Sequence, residues 1–290
     1  MSNVYEMVTN RIIEKLNEGV IPWQKGWSGA IDGAYNYKTG HRYSLINQLM
    51  LEHRDGYLTF KQVGECKDKD GNPARVNKGA KSEFVVFWKM MQKEDPEAKD
   101  KDGNPKKVNI PILRYYNVFW IGDTNIERKD VEPITHDPIA EAEDIISGYV
   151  AREEGLTFTN DTPSNSAYYA PLRDEVVVPM LSQFKNAEEY YSTAFHELTH
   201  STGAQKRLNR LKVTELAAFG SEDYSKEELV AELGAAMLVN RCGIESEKSF
   251  RNSAAYIQSW IKALRDDQRL IVSASSKAEK AVNYILGVSA

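Results

Sequence analysis

Five residues constrain this 290-residue chain more than any others: His196-Glu197-Leu198-Thr199-His200. Two histidines four positions apart share a face only on an α-helix, where they stand about 40° apart around the axis and about 6 Å apart along it. Both imidazoles can then reach one metal ion. Glu197 lies about 60° beyond His200, near enough to hold a coordinated water without filling the coordination shell. Zinc lowers the pKa of such a water toward ~7, and the carboxylate can accept its proton as the water attacks a carbonyl. Chance is a weak competitor. With five histidines in the chain, shuffling yields the motif in roughly one sequence per hundred. Tyr191, Phe195 and Leu198 add an apolar stripe, so the helix Ala187–Ser201 is expected to pack in a core.

A catalytic zinc needs a third protein ligand and an open position. A helix expected over 226–241 offers Glu228 and Glu232, again four apart on one face. Glu232 sits in an apolar run, where an unpaired carboxylate is costly to bury. Glu228 is therefore read as the ligand and Glu232 as the acceptor that orients a zinc-bound histidine; the reverse assignment stays open. Glu227 reads as part of a solvated first turn. The expected cofactor is one Zn2+ per chain, other divalent transition metals also fitting the donor set. Tyr168, Tyr169 and Tyr256 are candidates to stabilise an oxyanion. A strand over 175–178 is a candidate edge for an extended peptide.

The rest of the chain divides by charge. Residues 1–130 carry 21 Lys and Arg against 18 Asp and Glu, a net +3, and four of the five tryptophans. Residues 131–290 carry a net −8. A polar stretch over 127–138, with Pro133 and Pro138, separates the two compositions, so domains are expected at 1–128 and 129–290. In the first, Lys25, Lys38, Arg42 and Lys61 interleave with Trp23, Trp27 and Tyr43. That mixture suits single-stranded DNA, whose bases stack on rings while its phosphates meet cations.

Periodicity predicts an α+β chain. The first half shows a helix from Val4 to Leu16, a short helix over 45–51, and strands over 57–60, 84–88 and 113–121. The second shows a small sheet (156–158, 166–169, 175–178) with helices around 142–150, 187–201, 226–241, 250–265 and 276–286. The heptapeptide Lys-Asp-Lys-Asp-Gly-Asn-Pro occurs at 67–73 and at 99–105. Its Gly falls too early for a calcium loop and no closing Glu follows, so both copies read as turns. No apolar run approaches the ~18–20 residues of a membrane span, and Cys66 and Cys242 follow no metal or disulfide spacing. A cytoplasmic monomer with reduced thiols and no membrane contact is expected.

His196 to His200, the following Ser201-Thr202-Gly203, and Glu228-Leu229-Val230-Ala231-Glu232 together resemble the zincin-like metallopeptidase domain of ArdC-type antirestriction proteins. Ile12-Ile13 to Pro22-Trp23, Asn36 to Gly40, Tyr43, Asn47, Leu58 to Gln62 and Val118-Phe119 are similar, in order, to the single-stranded-DNA-binding domain of the same family. The resemblance implies a zincin (gluzincin-like) second half with the metal site above, a protein substrate still to be identified, and protection of incoming plasmid or phage DNA from restriction. It also implies a setting in mobile elements and plasmid conjugation. Two rivals remain: a DNA-covering protein whose zincin scaffold holds a structural metal, and a free-standing peptidase without a DNA role.

Overall fold

Helix α1 (Val4–Asn17) starts where the Asn3 side chain accepts a hydrogen bond from the Tyr5 amide (3.2 Å), and it buries Val8, Ile12 and Leu16 at the expected four-residue spacing. The computed structural model describes residues 3–23, 33–99, 105–127, 138–211, 222–244 and 254–288; within these, the side chains of 94–99, 105–106, 138, 222–225 and 254–256 are not described. The first half continues as β1 (Tyr35–Asn36), α2 (Leu45–Met50), β2 (Gly56–Leu58), α3 (Phe60–Glu65), β3 (Glu83–Lys99) and β4 (Pro105–Trp120). Its sheet runs β1-β2-β4-β3, with β3 and β4 forming one long antiparallel ribbon.

Two departures from expectation have local causes. The strand expected over 57–60 stops at Leu58, because Thr59 caps α3. Its hydroxyl accepts from the Gln62 amide (3.3 Å), and the Gln62 side chain accepts from the Thr59 amide (2.9 Å). The ribbon extends well past 84–88 and 113–121, since β3 and β4 pair continuously from Glu83↔Val118 to Asp95↔Lys106. At the outer edge of β3, Asn47 replaces a missing strand. Its amide donates to the Val86 carbonyl (2.9 Å) and accepts from the Val86 amide (2.7 Å). The first heptapeptide is a turn, closed by amides of Asp70 and Asn72 on Asp68 Oδ1; most of the second lies outside the described residues, as does most of the 127–138 stretch.

The second half comprises α4 (Pro138–Arg152), β5 (Thr157–Thr159), β6 (Tyr168–Ala170), β7 (Glu175–Val177), α5 (Ala187–Ser201), α6 (Glu222–Arg241), α7 (Ala254–Asp266) and α8 (Leu270–Leu286). The small sheet has the order β5-β7-β6. Its middle strand is therefore β7, paired on both sides, and the 175–178 segment has no free edge for a peptide. The edge lying against α5 belongs to β6.

The two halves share a core. Val8, Ile12 and Leu16 of α1, Leu49 of α2, and Val86 and Leu113 of the ribbon pack with Leu229 and Leu233 of α6, Ile261 and Leu264 of α7 and Ile271 of α8. Trp23 meets Trp260 edge-on, ring centres 6.2 Å apart. Polar ties follow the same seam: the Leu45 amide donates to Glu279 (2.7 Å) and the Thr9 hydroxyl to the Gln268 carbonyl (2.9 Å). A second core joins α4, β7, α5, α6 and α8 through Tyr149, Val176, Phe195, Leu198, Leu238 and Val282. Among the described residues, no helix is long and apolar enough to cross a membrane.

Because one core serves both halves, the chain should melt in a single transition. Trp260→Ala should lower its stability by about 3–5 kcal/mol and unfold the N-terminal sheet along with the helices, as read by far- and near-ultraviolet circular dichroism. Two separated transitions would contradict the shared core.

Candidate metal centre

Helix α5 begins at Asn186, whose side chain accepts from the Glu189 amide (2.9 Å), and ends in the turn after Ser201. Between these limits it buries Tyr191, Phe195 and Leu198 as the apolar stripe requires, in one core with Ala235, Leu238 and Val239 of α6. The two helices are in tight contact at Gly234. A Cβ placed there would lie 2.6 Å from Thr199 Cγ2, so only glycine lets α6 approach at this height. Six residues earlier on α6 stands Glu228.

The closeness brings three donors together. His196 Nε2 and His200 Nε2 are 3.1 Å apart, Glu228 Oε1 is 3.2 Å from the latter, and Glu228 Oε2 is 3.5 Å from the former. Ligand atoms around a tetrahedral ion with bonds of ~2.0–2.1 Å sit about 3.3 Å from one another. The donor set fits a divalent metal of that size, and His196, His200 and Glu228 are the group among the described residues that could hold one.

Each outward-facing imidazole nitrogen has its own carboxylate. His196 Nδ1, buried and without a hydrogen bond, lies 3.8 Å from Glu232 Oε1; His200 Nδ1 lies 3.7 Å from Glu227 Oε1. These separations exceed hydrogen-bond length, and each carboxylate lies on the Nδ1 side of its ring, while the Nε2 atoms face one another. Glu227 is in turn held by Arg210, whose guanidinium donates to both of its oxygens (2.8 and 3.3 Å), to Thr202 Oγ1 (2.8 Å) and to the Thr199 carbonyl (2.9 Å). The sequence reading placed Glu227 in a solvated first turn. It is instead largely buried, because α6 starts four residues earlier, at Glu222, which carries Glu227 down into the site. The adjacent Glu-Glu pair carried no signal to separate the ligand from the supporting residue; Arg210 supplies it only in three dimensions.

Electrostatics follow from this crowding. Burial disfavours the His200 imidazolium, but the Glu227, Glu228 and Glu197 carboxylates outweigh it and raise the group to about 10. Burial likewise disfavours the Glu228 carboxylate, yet the two histidines hold it well below the usual range. The centre is thus built to keep positive charge, as protons or as a cation. Glu197, next to His196, is itself buried. Of the oxyanion candidates, the Tyr169 hydroxyl is engaged, donating to Asp174 (2.7 Å) and accepting from Arg207 (3.1 Å). Tyr168 is partly exposed, and the Tyr256 side chain lies outside the described residues.

Comparison with known proteins matches residues 2–119 to the N-terminal domain of the anti-restriction factor ArdC, and residues 148–277 to a zincin-like metallopeptidase family. The uncharacterized protein y4eC of Sinorhizobium fredii (strain NBRC 101917 / NGR234) is 30% identical, over 98% of this chain and 92% of its own. The chain belongs to the ArdC-type antirestriction family. It is similar, at 28% identity, to the antirestriction ArdC protein from the R388 plasmid, whose metal-free crystal structure superposes over all of both chains with a TM-score of 0.73. An Mn(II)-bound structure of that protein gives 0.72, over 99% of this chain and 98% of the other. Two proteins described as DNA primase TraC, from Escherichia coli, are 34% and 35% identical over 97% of this chain. The chain spans only 20% and 27% of their lengths. The architecture is thus two-domain α+β, with an ArdC-type N-terminal domain and a zincin-like C-terminal one.

Within the ArdC-type N-terminal domain, the DNA-binding candidates fare unevenly. Trp23 and Tyr43 are core residues, 1% and 8% exposed, and neither ring can stack on a base. Trp23 seals the seam between the halves, and Tyr43 packs with Tyr57, Val85 and Val118. Lys38 is at the surface, paired with Glu65; Arg42 and Lys61 are exposed. Lys25 and Trp27 lie outside the described residues. Alternating aromatics and cations do not reveal which rings face inward, so the sequence had no means to separate these cases.

Three measurements test the centre. Gly234→Ala should cost about 1–3 kcal/mol through overpacking against Thr199, and Thr199→Ala should restore part of it in the double variant, as read by chemical denaturation. Glu227→Gln and Glu232→Gln should each weaken metal binding about 10–100-fold; an unchanged affinity would show that neither carboxylate supports its histidine. In the metal-free chain the raised His200 contributes stability that is complete below its ordinary value of 6.5 and lost as pH rises through about 10. Glu227→Gln should move that loss to lower pH, followed by imidazole NMR.

Proposed function

We propose that this chain is a metal-dependent peptidase joined to a single-stranded-DNA-binding module, and that it protects incoming plasmid or phage DNA from restriction inside the bacterial cell. The observation that carries the reading is the convergence of His196 Nε2, His200 Nε2 and Glu228 within 4.8 Å, beside a buried Glu197. The Mn(II)-bound form of the R388 protein supports a divalent metal here, and the donor chemistry of two imidazoles and a carboxylate suits zinc. The DNA module would occupy 1–128 and the peptidase 129–290.

In this reading His196, His200 and Glu228 hold the metal. Glu227 and Glu232 fix the two imidazole rings from behind. A divalent metal bound there supplies Lewis acidity to a water and to a substrate carbonyl. Glu197 is the general base: its carboxylate takes the proton of the attacking water and delivers it to the leaving amine. The exposed edge of β6, which packs beside α5, is the place where an extended stretch of the protein substrate would pair by its main chain.

The purified protein should hold about one zinc per chain, measured by elemental analysis. His196→Ala and His200→Ala should lose it, whereas Glu197→Gln should keep it. Peptidase activity on a protein substrate should vanish in Glu197→Gln and in chelator while the fold persists. Metal loss in Glu197→Gln with retention in His196→Ala would sink the ligand assignment. Activity surviving both Glu197→Gln and chelator would place the chemistry elsewhere.

A further inference from the structure

The β3–β4 ribbon has two unlike faces. Residues opposite one another across an antiparallel pair share a face, so the register Val85↔Tyr116, Phe87↔Arg114, Lys89↔Ile112, Met91↔Ile110 and Lys93↔Val108 defines one of them. That face starts in the core at Val85 and Val118, then emerges into solvent. From there it carries Phe87 and Tyr116, 40% and 36% exposed with ring centres 5.3 Å apart, followed by Arg114, Lys89 and Lys93, all exposed. The Arg114 guanidinium rests on Met91 Sδ (3.5 Å). Glu83, the one acidic side chain described on this face, is occupied at its inner end by the Tyr57 hydroxyl (2.8 Å) and the Glu52 amide (2.8 Å).

The other face is different. Val86 and Leu113 enter the shared core, Trp88 packs edge-on against Tyr5 of α1, and Met90 and Tyr115 lie beside them. Its one cation among the described side chains is Lys107, which stands opposite Glu94 in the register. Exposed rings thus occur on both faces, but among the described side chains the row of three cations occurs on one.

We propose that the face bearing Phe87, Tyr116, Arg114, Lys89 and Lys93 is the surface on which a single strand of DNA lies, its bases stacked on the two rings and its phosphates along the three cations. From Phe87 to Lys93 the ribbon offers a track about 20 Å long. A ring pair that leads into a row of cations matches a polyanion with exposed bases and offers nothing to read a particular base, so binding should be tolerant of sequence. Duplex DNA, with its bases stacked inside, leaves the rings idle and keeps only the charge term. The proposal rests on the DNA-binding reading above and relocates it, from the buried Trp23 and Tyr43 to rings that solvent reaches.

The test uses the full chain and a fluorescein-labelled oligothymidylate, with binding followed by anisotropy over a range of salt. The triple variant Lys89→Gln/Arg114→Gln/Lys93→Gln, which leaves the core untouched, should lower the log–log salt slope by about 2, at ~0.7 per phosphate contact. Phe87→Ala/Tyr116→Ala should weaken binding about 30-fold or more, while Trp88→Ala/Met90→Ala on the opposite face should not, with circular dichroism confirming that each variant is folded. A slope unchanged in the triple variant, or an equal loss from the opposite-face variant, would overturn this surface and leave the DNA-binding reading intact. Wild-type protein that fails to bind the oligonucleotide would overturn both. Duplex binding as tight as single-strand binding, with no effect of the ring substitutions, would refute the stacking role.

Discussion

The close approach of α5 and α6 at Gly234 is the contact on which the centre depends. Helices usually stand 8–10 Å apart, at a distance set by the side chains between them. Here one of those side chains is absent, and Thr199 fills the space a Cβ would take. That approach lets Glu228 on one helix reach two histidines on the other at ligand-to-ligand separations near those of a tetrahedral ion. Widening the gap would open the donor triangle before it disturbed any ligand directly.

Around the donors, the charges are layered. Three carboxylates face the two imidazoles, and one of the three, Glu227, is anchored outward by Arg210. Arg210 also ties Glu227 to the turn that ends α5, through Thr202 and the Thr199 carbonyl. The Nδ1 sides of the rings are therefore lined by two carboxylates of α6, one of them anchored by Arg210 from a separate segment. Such an arrangement binds a cation with little reorganisation, since the ligands already point inward.

The same helix that carries Glu228 also belongs to both hydrophobic cores. Leu229 and Leu233 face α1 and the ribbon, while Leu238 and Val239 face α5 and α4. The metal centre and the N-terminal sheet consequently rest on one rigid element, although the family boundaries divide the chain between them. Residues 128–129 mark a change of composition, yet the packing runs straight across it, sealed by Trp23 on Trp260.

What the sequence alone determined was local. The four-residue spacing of His196 and His200 required a helix, and α5 runs over the expected Ala187–Ser201, because helical periodicity and an Asn cap act within a single segment. The same holds for α1; for the third donor, the four-residue spacing put Glu228 and Glu232 on one face and left the choice between them open. Much of the rest depended on neighbours distant in sequence. The role of Glu227 waited on Arg210, and the burial of Trp23 and Tyr43 waited on α7 and the sheet. The paired state of β7 waited on strands either side of it. Thr59 did carry a legible capping signature, which the apolar run before it outweighed. Whether an aromatic ring is buried or faces solvent is set by what packs against it, and no pattern along the chain distinguishes Tyr43 from Tyr116. Only the tertiary structure sorts them, because burial is a property of the surfaces that meet and not of the residue.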